Sequence, residues 1–283
     1  MNFPTWGTAP LRRTRFAPNV SGELHLGNVR TALVAYYYAR GRDWRFDLRL
    51  DDDPINKPPR GSAAEEDKGE KENLIDSQLR WLGIEWDNVY RLSERLGLAY
   101  WAMDNVWVET GGKTVYPYQY LKDYFLLGSN TSVAPMVITS FFDDVFSGTE
   151  VLIRGIDLDR QERIFENALR LPMGPEAPSP FEDPEYKYLP VIGDHMTKWH
   201  KSSSEGITLT QCIEAGVNPE KLCQYLVLSL LKEKPETEYL NLPSMVESDD
   251  FWNNMVESDF TELNVEQFWR AMGVDPPDDK LEE

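Results

Sequence analysis

The stretch from Phe16 to Leu33, FAPNVSGELHLGNVRTAL, constrains the fold of this chain more than any other stretch. A short predicted strand, Arg13 to Ala17, runs into a turn-rich segment, and apolar residues then recur at helical spacing from Asn28 to Arg40. A strand, a loop and a helix in this order place the loop at the carboxyl end of the strand, where open α/β sheets bind their ligands. The sequence therefore predicts an α/β fold with a binding loop near its start.

Further strands and helices alternate along the first two thirds of the chain. Strands are predicted at Arg45 to Asp51, Val137 to Phe142, Thr149 to Arg154 and Tyr188 to Ile192, and helices at Ser62 to Leu82, Ser93 to Glu109 and Asp157 to Leu169. This alternation is typical of a Rossmann-type, mostly parallel sheet with helices on its faces. From Leu209 onward the pattern is helical, which predicts a C-terminal helical region.

The charge of the chain is unevenly distributed. The formal net charge is −19, of which residues 232–283 contribute −11 and residues 1–231 contribute −8. A strongly acidic chain is a poor match for a nucleic-acid partner when charge alone is considered, because phosphate binding draws on clusters of Lys and Arg. The body is only moderately acidic, and the acidic segment at the end is predicted to dock on a basic protein.

Composition also bounds the compartment and the cysteine chemistry. No apolar run is long enough to span a membrane, and the N-terminal residues lack the order of a secretory signal, so we expect a soluble cytoplasmic protein. The two cysteines, Cys212 and Cys223, lie in a helical pattern with no further Cys or His pair nearby. We predict buried thiols, with neither a zinc site nor a disulfide framework.

Two loops and a set of strand ends are the candidates for chemistry. In SGELHLGN, His25 and Gly27 directly precede a helix, whose N-terminus offers unpaired N–H groups to a phosphate. In KWHKSSSEG, Lys198 and Lys201 provide two ammonium groups on a Ser- and Gly-rich loop, as a departing pyrophosphate requires. A capped helix with an incidental histidine and a solvated basic turn are the alternative interpretations.

Three charged residues, Arg15, Asp51 and Arg154, end or follow apolar strands. If the strands are parallel, these side chains meet at one edge of the sheet. Arginines clamp carboxylates and an aspartate holds an ammonium group, so the set describes an amino-acid site. Structural ion pairs are the alternative interpretation.

Taken in order, these residues resemble the class I glutamyl-tRNA synthetase family, including its shortened relatives that glutamylate queuosine in tRNA. The similarity lies in RTRFAPNVSGELHLGNVRTAL, FDLRLDDDP, QLRWLGIEWD, FDDVFSGTEVLIRGIDL, YKYLPVIG and KWHKSSSEGITL. The resemblance implies a Rossmann-type catalytic domain that uses ATP and Mg²⁺ to form an aminoacyl-adenylate and passes the acyl group to a tRNA. No zinc site and no other metal-binding residue is implied, because the cysteines that hold zinc in some relatives are absent.

Site residues are carried over by position. The resemblance assigns ATP binding to His25, Gly27, Asn28, Asp157, Lys198 and Lys201, with His25 and both lysines as catalytic residues, and amino-acid binding to Arg15, Ala17, Asn19, Asp51, Met136 and Arg154. Three of these depart from the family pattern: Asn19 replaces a serine, Asp51 replaces a glutamate, and Met136 replaces a tyrosine. The amino-acid pocket is therefore expected to differ more from the family than the ATP motifs do.

The resemblance also divides the chain. It predicts two Rossmann halves at residues 1–92 and 135–194, separated by a shortened acceptor-binding insertion at 93–134, then a lysine loop with stem-contact-type helices at 195–231 and an acidic helical tail at 232–283. No anticodon-binding domain is expected. The leading hypothesis is an enzyme that activates glutamate or an analogue and transfers it to tRNA. A non-catalytic protein-binding homologue, and a ligase with another acceptor, remain open.

Overall fold

The computed structural model describes residues 12–20, 23–52, 62–95, 97, 108–110, 113–115, 136–158, 184–193, 206–235 and 240–275. The strands are β1 (Arg13–Phe16), β2 (Arg45–Leu50), β3 (Asn88–Arg91), β4 (Val108–Thr110), β5 (Lys113–Val115), β6 (Val151–Gly155), β7 (Glu185–Leu189), β8 (Val191–Gly193) and β9 (Phe260–Glu262). The helices are α1 (Leu26–Gly41), α2 (Ser62–Trp81), α3 (Met136–Ser147), α4 (Leu209–Glu214), α5 (Pro219–Leu228), α6 (Leu242–Glu247), α7 (Asp249–Asn253) and α8 (Val265–Met272). Within these ranges no helix combines the length and the apolar character needed to cross a bilayer.

The main sheet has five strands in the order β3-β2-β1-β6-β7, and every neighbouring pair in it is parallel. Five of the six residues of β2 are buried, as expected for a strand that is covered on both faces. From β1 the chain adds β2 and β3 on one side of the sheet and β6 and β7 on the other. The loop after β1 therefore lies at the switch point where such sheets bind ligands. The predicted Rossmann-type fold is confirmed.

Helix α1 follows the loop after β1 and is buried almost all around. It begins at Leu26 because the His25 side chain caps it, accepting a hydrogen bond from the Gly27 amide. Its buried residues, which include Val29, Leu33 and Ala35, contact the sheet on one side and the C-terminal segment on the other. A helix that is apolar on all sides belongs between two layers of structure.

The predicted strand at Val137 to Phe142 is wrong, because these residues form part of helix α3. The run VITSFF is rich in β-branched and aromatic residues and therefore favours a strand locally. The polar residues decide otherwise: Ser140, Asp143 and Asp144 are all buried and lie three and four residues apart, which places them on one face of a helix. In a strand, the two aspartates would point to opposite faces of the sheet.

Other predicted boundaries also shift. The predicted helix at Ser93 to Glu109 is wrong at both ends, where a 3₁₀ turn spans Leu92–Arg95 and strand β4 begins at Val108. The predicted helix at Asp157 to Leu169 begins in a 3₁₀ turn, Ile156–Leu158, and its remainder lies outside the described residues. The predicted strand at Tyr188 to Ile192 is divided at Pro190 into β7 and β8, because proline cannot donate a ladder hydrogen bond.

The acidic C-terminal segment is helical as expected, but its described part is not a detached tail. Strand β9 pairs in parallel with β8, and Phe251, Phe268 and Trp269 join the main hydrophobic cluster. Helix α6 packs so closely on α1 that a side-chain carbon at Gly41 would collide with the carbonyl oxygen of Pro243. Apolar residues hold the segment on the main hydrophobic cluster, while the acidic residues Asp249, Asp250 and Glu266 of its helices face solvent.

The predicted buried thiols are confirmed. Cys212 and Cys223 are both free and buried. Burial raises the pKa of the Cys212 thiol to about 12 and that of the Cys223 thiol to about 11, so both remain protonated at neutral pH.

Candidate functional site

A cavity of about 230 Å³ opens at the carboxyl edge of β1 and β6, next to the start of α1. Eight of the twelve predicted site residues line it: Arg15, Ala17, His25, Gly27, Asn28, Asp51, Arg154 and Asp157. The sheet topology explains this convergence, since β1, β2 and β6 are neighbours and all end at the same edge. Residues as far apart in the chain as Arg15 and Asp157 thus line the same cavity.

The other four predicted residues are placed differently. Asn19 is exposed and does not line the cavity, although its backbone forms an isolated parallel bridge with Asp51. Met136 is the first residue of α3, and its side chain lies outside the described part of the structure. Lys198 and Lys201 also lie outside the described residues.

One side of the cavity is formed by residues 24–28, which we call the histidine segment. The Nδ1 atom of His25 accepts a hydrogen bond from the amide of Gly27 at 3.1 Å. An imidazole that accepts at Nδ1 carries its proton at Nε2, so the ring is neutral in this arrangement. A side-chain carbon at Gly27 would lie 2.9 Å from the ring, and the H-x-G spacing is therefore a steric requirement of the cap.

Two further side chains on this side lack a partner: Arg30 lacks a counter-ion and Asn28 lacks a hydrogen-bond donor among the described residues. Arg30, which is 2% exposed, bonds to the Ser229 hydroxyl and the Pro190 carbonyl but to no carboxylate among the described residues. Burial lowers its pKa to about 9, because no acid compensates the lost hydration. The Oδ1 atom of Asn28 is buried and has no hydrogen-bond partner in the part of the chain that the structure describes. We call His25, Gly27, Asn28 and Arg30 the histidine half of the cavity.

The opposite side is a buried network of ion pairs. Arg15 contacts Asp144 in a bidentate way, with Nε–Oδ1 and Nη2–Oδ2 distances of 2.5 Å each. The Nη2 atom of Arg154 lies 3.1 Å from Oδ2 of the same carboxylate. Burial opposes ionisation of Asp144, but the charges of Arg15 and Arg49 outweigh it and lower the pKa of Asp144 below its ordinary value.

Arg49 connects this network to Asp51. Its Nε lies 2.7 Å from Oδ1 of Asp51, and its Nη1 lies 2.9 Å from Asp143 and 3.2 Å from Asp144. The guanidinium is fully buried, which disfavours its charge, but the three carboxylates outweigh this cost and raise its pKa well above the ordinary value. The charged half of the cavity comprises Arg15, Arg49, Arg154, Asp51, Asp143, Asp144 and Ser140.

Sequence reasoning missed four members of the charged half: Arg49, Asp143, Asp144 and Ser140. Each is polar and lies within an apolar run, RFDLRL or VITSFFDDVF, and that signal was available. Charged residues are almost never fully buried unless they are paired, so two acids and one arginine in apolar runs indicate a buried ion-pair cluster. The prediction of a strand over Val137 to Phe142 separated Ser140 from the two aspartates and hid the common face.

The described residues on both sides of the lysine loop contact the residues around His25 or helix α1. The amide of Leu26 donates to Ile207 at 3.1 Å, and the amide of Leu209 donates to Leu24 at 2.8 Å, around an isolated bridge between His25 and Thr208. On the other side of the loop, the carbonyl of Pro190, which precedes it in the chain, accepts a hydrogen bond from Arg30. The described residues that flank Lys198 and Lys201 are thus bound to the start of α1.

Metal binding has no support from the described part of the chain. No group of three or more His, Cys, Asp or Glu side chains is arranged there to hold an ion. The carboxylates of the charged half are instead occupied by arginines.

Comparison with known proteins agrees with this geometry. Residues 12–111 match the family described as "tRNA synthetases class I (E and Q), catalytic domain". Glutamate--tRNA ligase of Aquifex aeolicus is 43% identical over 86 residues, which are 30% of this chain and 16% of that relative. The same enzyme of Sulfolobus acidocaldarius is 46% identical over 88 residues, or 31% of this chain and 14% of the relative. The match thus spans about a sixth of the length of these relatives.

Solved structures extend the similarity in fold over most of the chain. Glutamate-tRNA synthetase from Elizabethkingia anophelis superposes with a TM-score of 0.62 and 17% identity, covering 92% of this chain and 69% of that structure. A glutamate tRNA ligase from Elizabethkingia meningosepticum gives a TM-score of 0.63 at 18% identity, with coverage of 92% and 68%. The resemblance inferred from the sequence agrees with the family match over residues 12–111, and the similarity in fold extends over most of the chain.

Proposed function

We propose that this protein activates an amino acid with ATP, forming an aminoacyl-adenylate, and passes the acyl group to tRNA or a tRNA-like acceptor. One observation carries the proposal: a single cavity brings a paired arginine and aspartate cluster next to a helix N-terminus capped by His25. An amino acid matches the first group and a phosphate matches the second. Adenylation requires both ligands within bonding distance of each other.

The charged half would hold the amino acid. Arg15 uses Nε and Nη2 for Asp144, which leaves Nη1 for a carboxylate of the substrate. Arg49 binds both oxygens of Asp51, and each oxygen retains a further lone pair for an ammonium group. The substrate would thus be oriented by groups that are already fixed, with little ordering on binding.

The histidine half would hold the triphosphate. The substrate carboxylate attacks the α-phosphorus, its oxygen forms the new bond, and pyrophosphate leaves with the electrons of the broken bond. The first turn of α1 presents the positive end of the helix dipole to the developing charge, while the amides of Leu26 and Gly27 already bond to Ile207 and His25. The Nε2–H of His25 adds a donor at the same place, and Lys198 and Lys201 are proposed to bind the departing pyrophosphate.

Mg²⁺ is proposed to arrive with the nucleotide. Because the described residues contain no ion-binding cluster, phosphate oxygens and water would supply the ligands. The ion would neutralise phosphate charge. Asp157, which lines the cavity from the turn after β6, is the carboxylate proposed to lie near the nucleotide.

Glutamate and tRNA are the proposed substrates because of the relatives. The names of the curated relatives specify glutamate--tRNA ligase, and one structural relative is described in complex with its amino acid. A more distant methionyl-tRNA synthetase of Mycobacterium tuberculosis, with a TM-score of 0.52, is described as bound by methionyl-adenylate. These descriptions support ATP-dependent adenylation on this fold, and they make glutamate or a close analogue the first substrate to test.

ATP–pyrophosphate exchange tests the proposal. Purified protein would be assayed with each of the twenty amino acids, with and without tRNA. The proposal predicts exchange with glutamate or one chemically related amino acid. An absence of exchange under all these conditions would refute it.

A second candidate, a binding protein that has lost adenylation, is favoured by one observation. Arg15, Arg49 and Arg154 all bind aspartates of the same chain, so no arginine of the charged half is without a carboxylate partner. A thermal shift assay with ATP and Mg²⁺ separates the two candidates. If the protein is an adenylating enzyme, its melting temperature should rise with ATP and Mg²⁺. An unchanged melting temperature favours the second candidate.

A further inference from the structure

Helix α2 places one fully buried polar side chain, Gln78, between two segments of the site. Its Oε1 atom accepts a hydrogen bond from the amide of Leu24 at 3.2 Å. Its Nε2 atom donates to the hydroxyl of Thr210 at 3.0 Å. The two ends of one amide group therefore bind the residue before His25 and the first turn of α4.

These two segments are also paired through their backbones. Leu26 donates to Ile207, and Leu209 donates to Leu24, so the histidine segment and the segment after the lysine loop form a short ladder. Gln78 closes this ladder on the side where the amide of Leu24 would otherwise have no acceptor. Leu24 itself is only 1% exposed, so water cannot replace the glutamine there.

We propose that Gln78 is a positioning residue, which couples the histidine segment to the segment that carries the lysine loop. The proposed role of the lysines requires the end of their loop to be fixed beside His25, and Gln78 fixes that point from outside the cavity. Gln78 does not line the cavity, so it touches no ligand there. Its effect on adenylation rests on the proposed function, whereas the coupling of the two segments does not.

Hydrogen exchange tests the coupling directly. In Gln78→Met, an apolar side chain of similar length, exchange of the backbone amides at residues 24–26 and at 207–209 is expected to accelerate together. Thr210→Val removes only the second contact and serves as another variant if Gln78→Met folds poorly. Acceleration confined to residues 24–26, with 207–209 unchanged in both variants, would overturn the proposal.

Kinetics test the effect on the reaction. ATP–pyrophosphate exchange by Gln78→Met should show a kcat about tenfold lower, while the KM for the amino acid stays within about twofold of wild type. Gln78→Glu should recover most of the rate, because its carboxyl accepts from Leu24 and the Thr210 hydroxyl turns to donate. The double variant of Gln78→Met and Thr210→Val should be no slower than Gln78→Met alone.

Ile75→Val is the matched control, because Ile75 is fully buried on the same helix and contributes no hydrogen bond. Its melting temperature should fall while kcat stays at the wild-type value. Equal losses of kcat in Ile75→Val and Gln78→Met, or additive losses in the double variant, would reduce Gln78 to a structural residue. If the wild-type protein shows no exchange activity, the proposed function fails, and hydrogen exchange alone decides the coupling.

Discussion

The two halves of the cavity are built in opposite ways. In the charged half, three arginines and three aspartates neutralise one another within hydrogen-bond distance. In the histidine half, an imidazole caps a helix. Among the described residues, Arg30 has no carboxylate partner and the buried oxygen of Asn28 has no donor. The charges of one half are paired with one another before a ligand arrives, and the other half lacks partners that a ligand can provide.

This difference indicates where the chain can change without losing its fold. A substrate of the charged half must compete with the existing ion pairs or add to them. A side chain that is one methylene longer or shorter there can therefore change which substrate is accepted. Of the three departures from the family that the resemblance indicates, only Asp51 lies in the charged half; Asn19 does not line the cavity, and the side chain of Met136 lies outside the described residues. In the proposed function the histidine half acts through the helix dipole and a cap, which depend on the helix rather than on any one charge.

The largest effect is expected from breaking the charged half. Asp144→Asn leaves Arg15 buried without its counter-ion and should lower the free energy of unfolding by about 3–5 kcal/mol, measured by urea denaturation at pH 7. The pKa of Asp144 is lowered in the folded state, so its contribution is present above the unfolded pKa of about 4 and is lost as the pH falls through the lower folded value. The difference between wild type and variant should therefore shrink below about pH 4.

Asp76→Asn is the control for this prediction. Asp76 pairs with Arg80 on the exposed face of α2, and both side chains are largely solvated. Its loss should change the free energy of unfolding by no more than about 0.5 kcal/mol. If Asp144→Asn and Asp76→Asn have the same free energy of unfolding, the ion pairs of Asp144 do not form a buried network that stabilises the fold.

The next largest effect separates capping from catalysis in the histidine half. His25→Ala removes the N-cap and the imidazole together, and should reduce the ATP–pyrophosphate exchange rate by about 10²–10³-fold. His25→Asn restores the cap, because asparagine is a favoured capping residue, and should recover stability without recovering the rate. An Asn variant as active as wild type would show that His25 only caps α1.

A smaller effect is expected from restoring the length of one carboxylate. Asp51→Glu adds the methylene that the family pattern contains, and should lower the KM for glutamate about tenfold if the shorter side chain weakens its contact with the ammonium group. The KM for ATP is the internal control and should not change. An unchanged or higher KM for glutamate would mean that the pocket is adapted to Asp51 and to another substrate.

The sequence predicted the parallel sheet well because its signals are local. Apolar strands followed by turns, and a helix after the histidine loop, are each visible within a short stretch of the sequence. The prediction failed for α3, where Val137 to Phe142 have strand propensity but helical tertiary partners. It also treated the C-terminal segment as a tail, because net charge concealed the apolar residues Phe251, Phe268 and Trp269.

The candidate site was predicted in part for a related reason. Residues at strand ends, such as Arg15, Asp51 and Arg154, converge on one cavity because the topology brings parallel strands to one edge. Arg49 and Asp144 were missed because ion pairing between β2 and α3 is a contact between residues far apart in the chain. Only a correct prediction of α3 as a helix would have placed Ser140, Asp143 and Asp144 on one face.

Calorimetric titration with ATP·Mg²⁺ and, separately, with glutamate tests the contrast between the two halves most directly. The wild-type protein is predicted to bind ATP, with binding lost in His25→Ala, and to bind glutamate more weakly than Asp51→Glu does. Tight binding of glutamate by a protein that does not bind ATP would contradict the assignment of both halves.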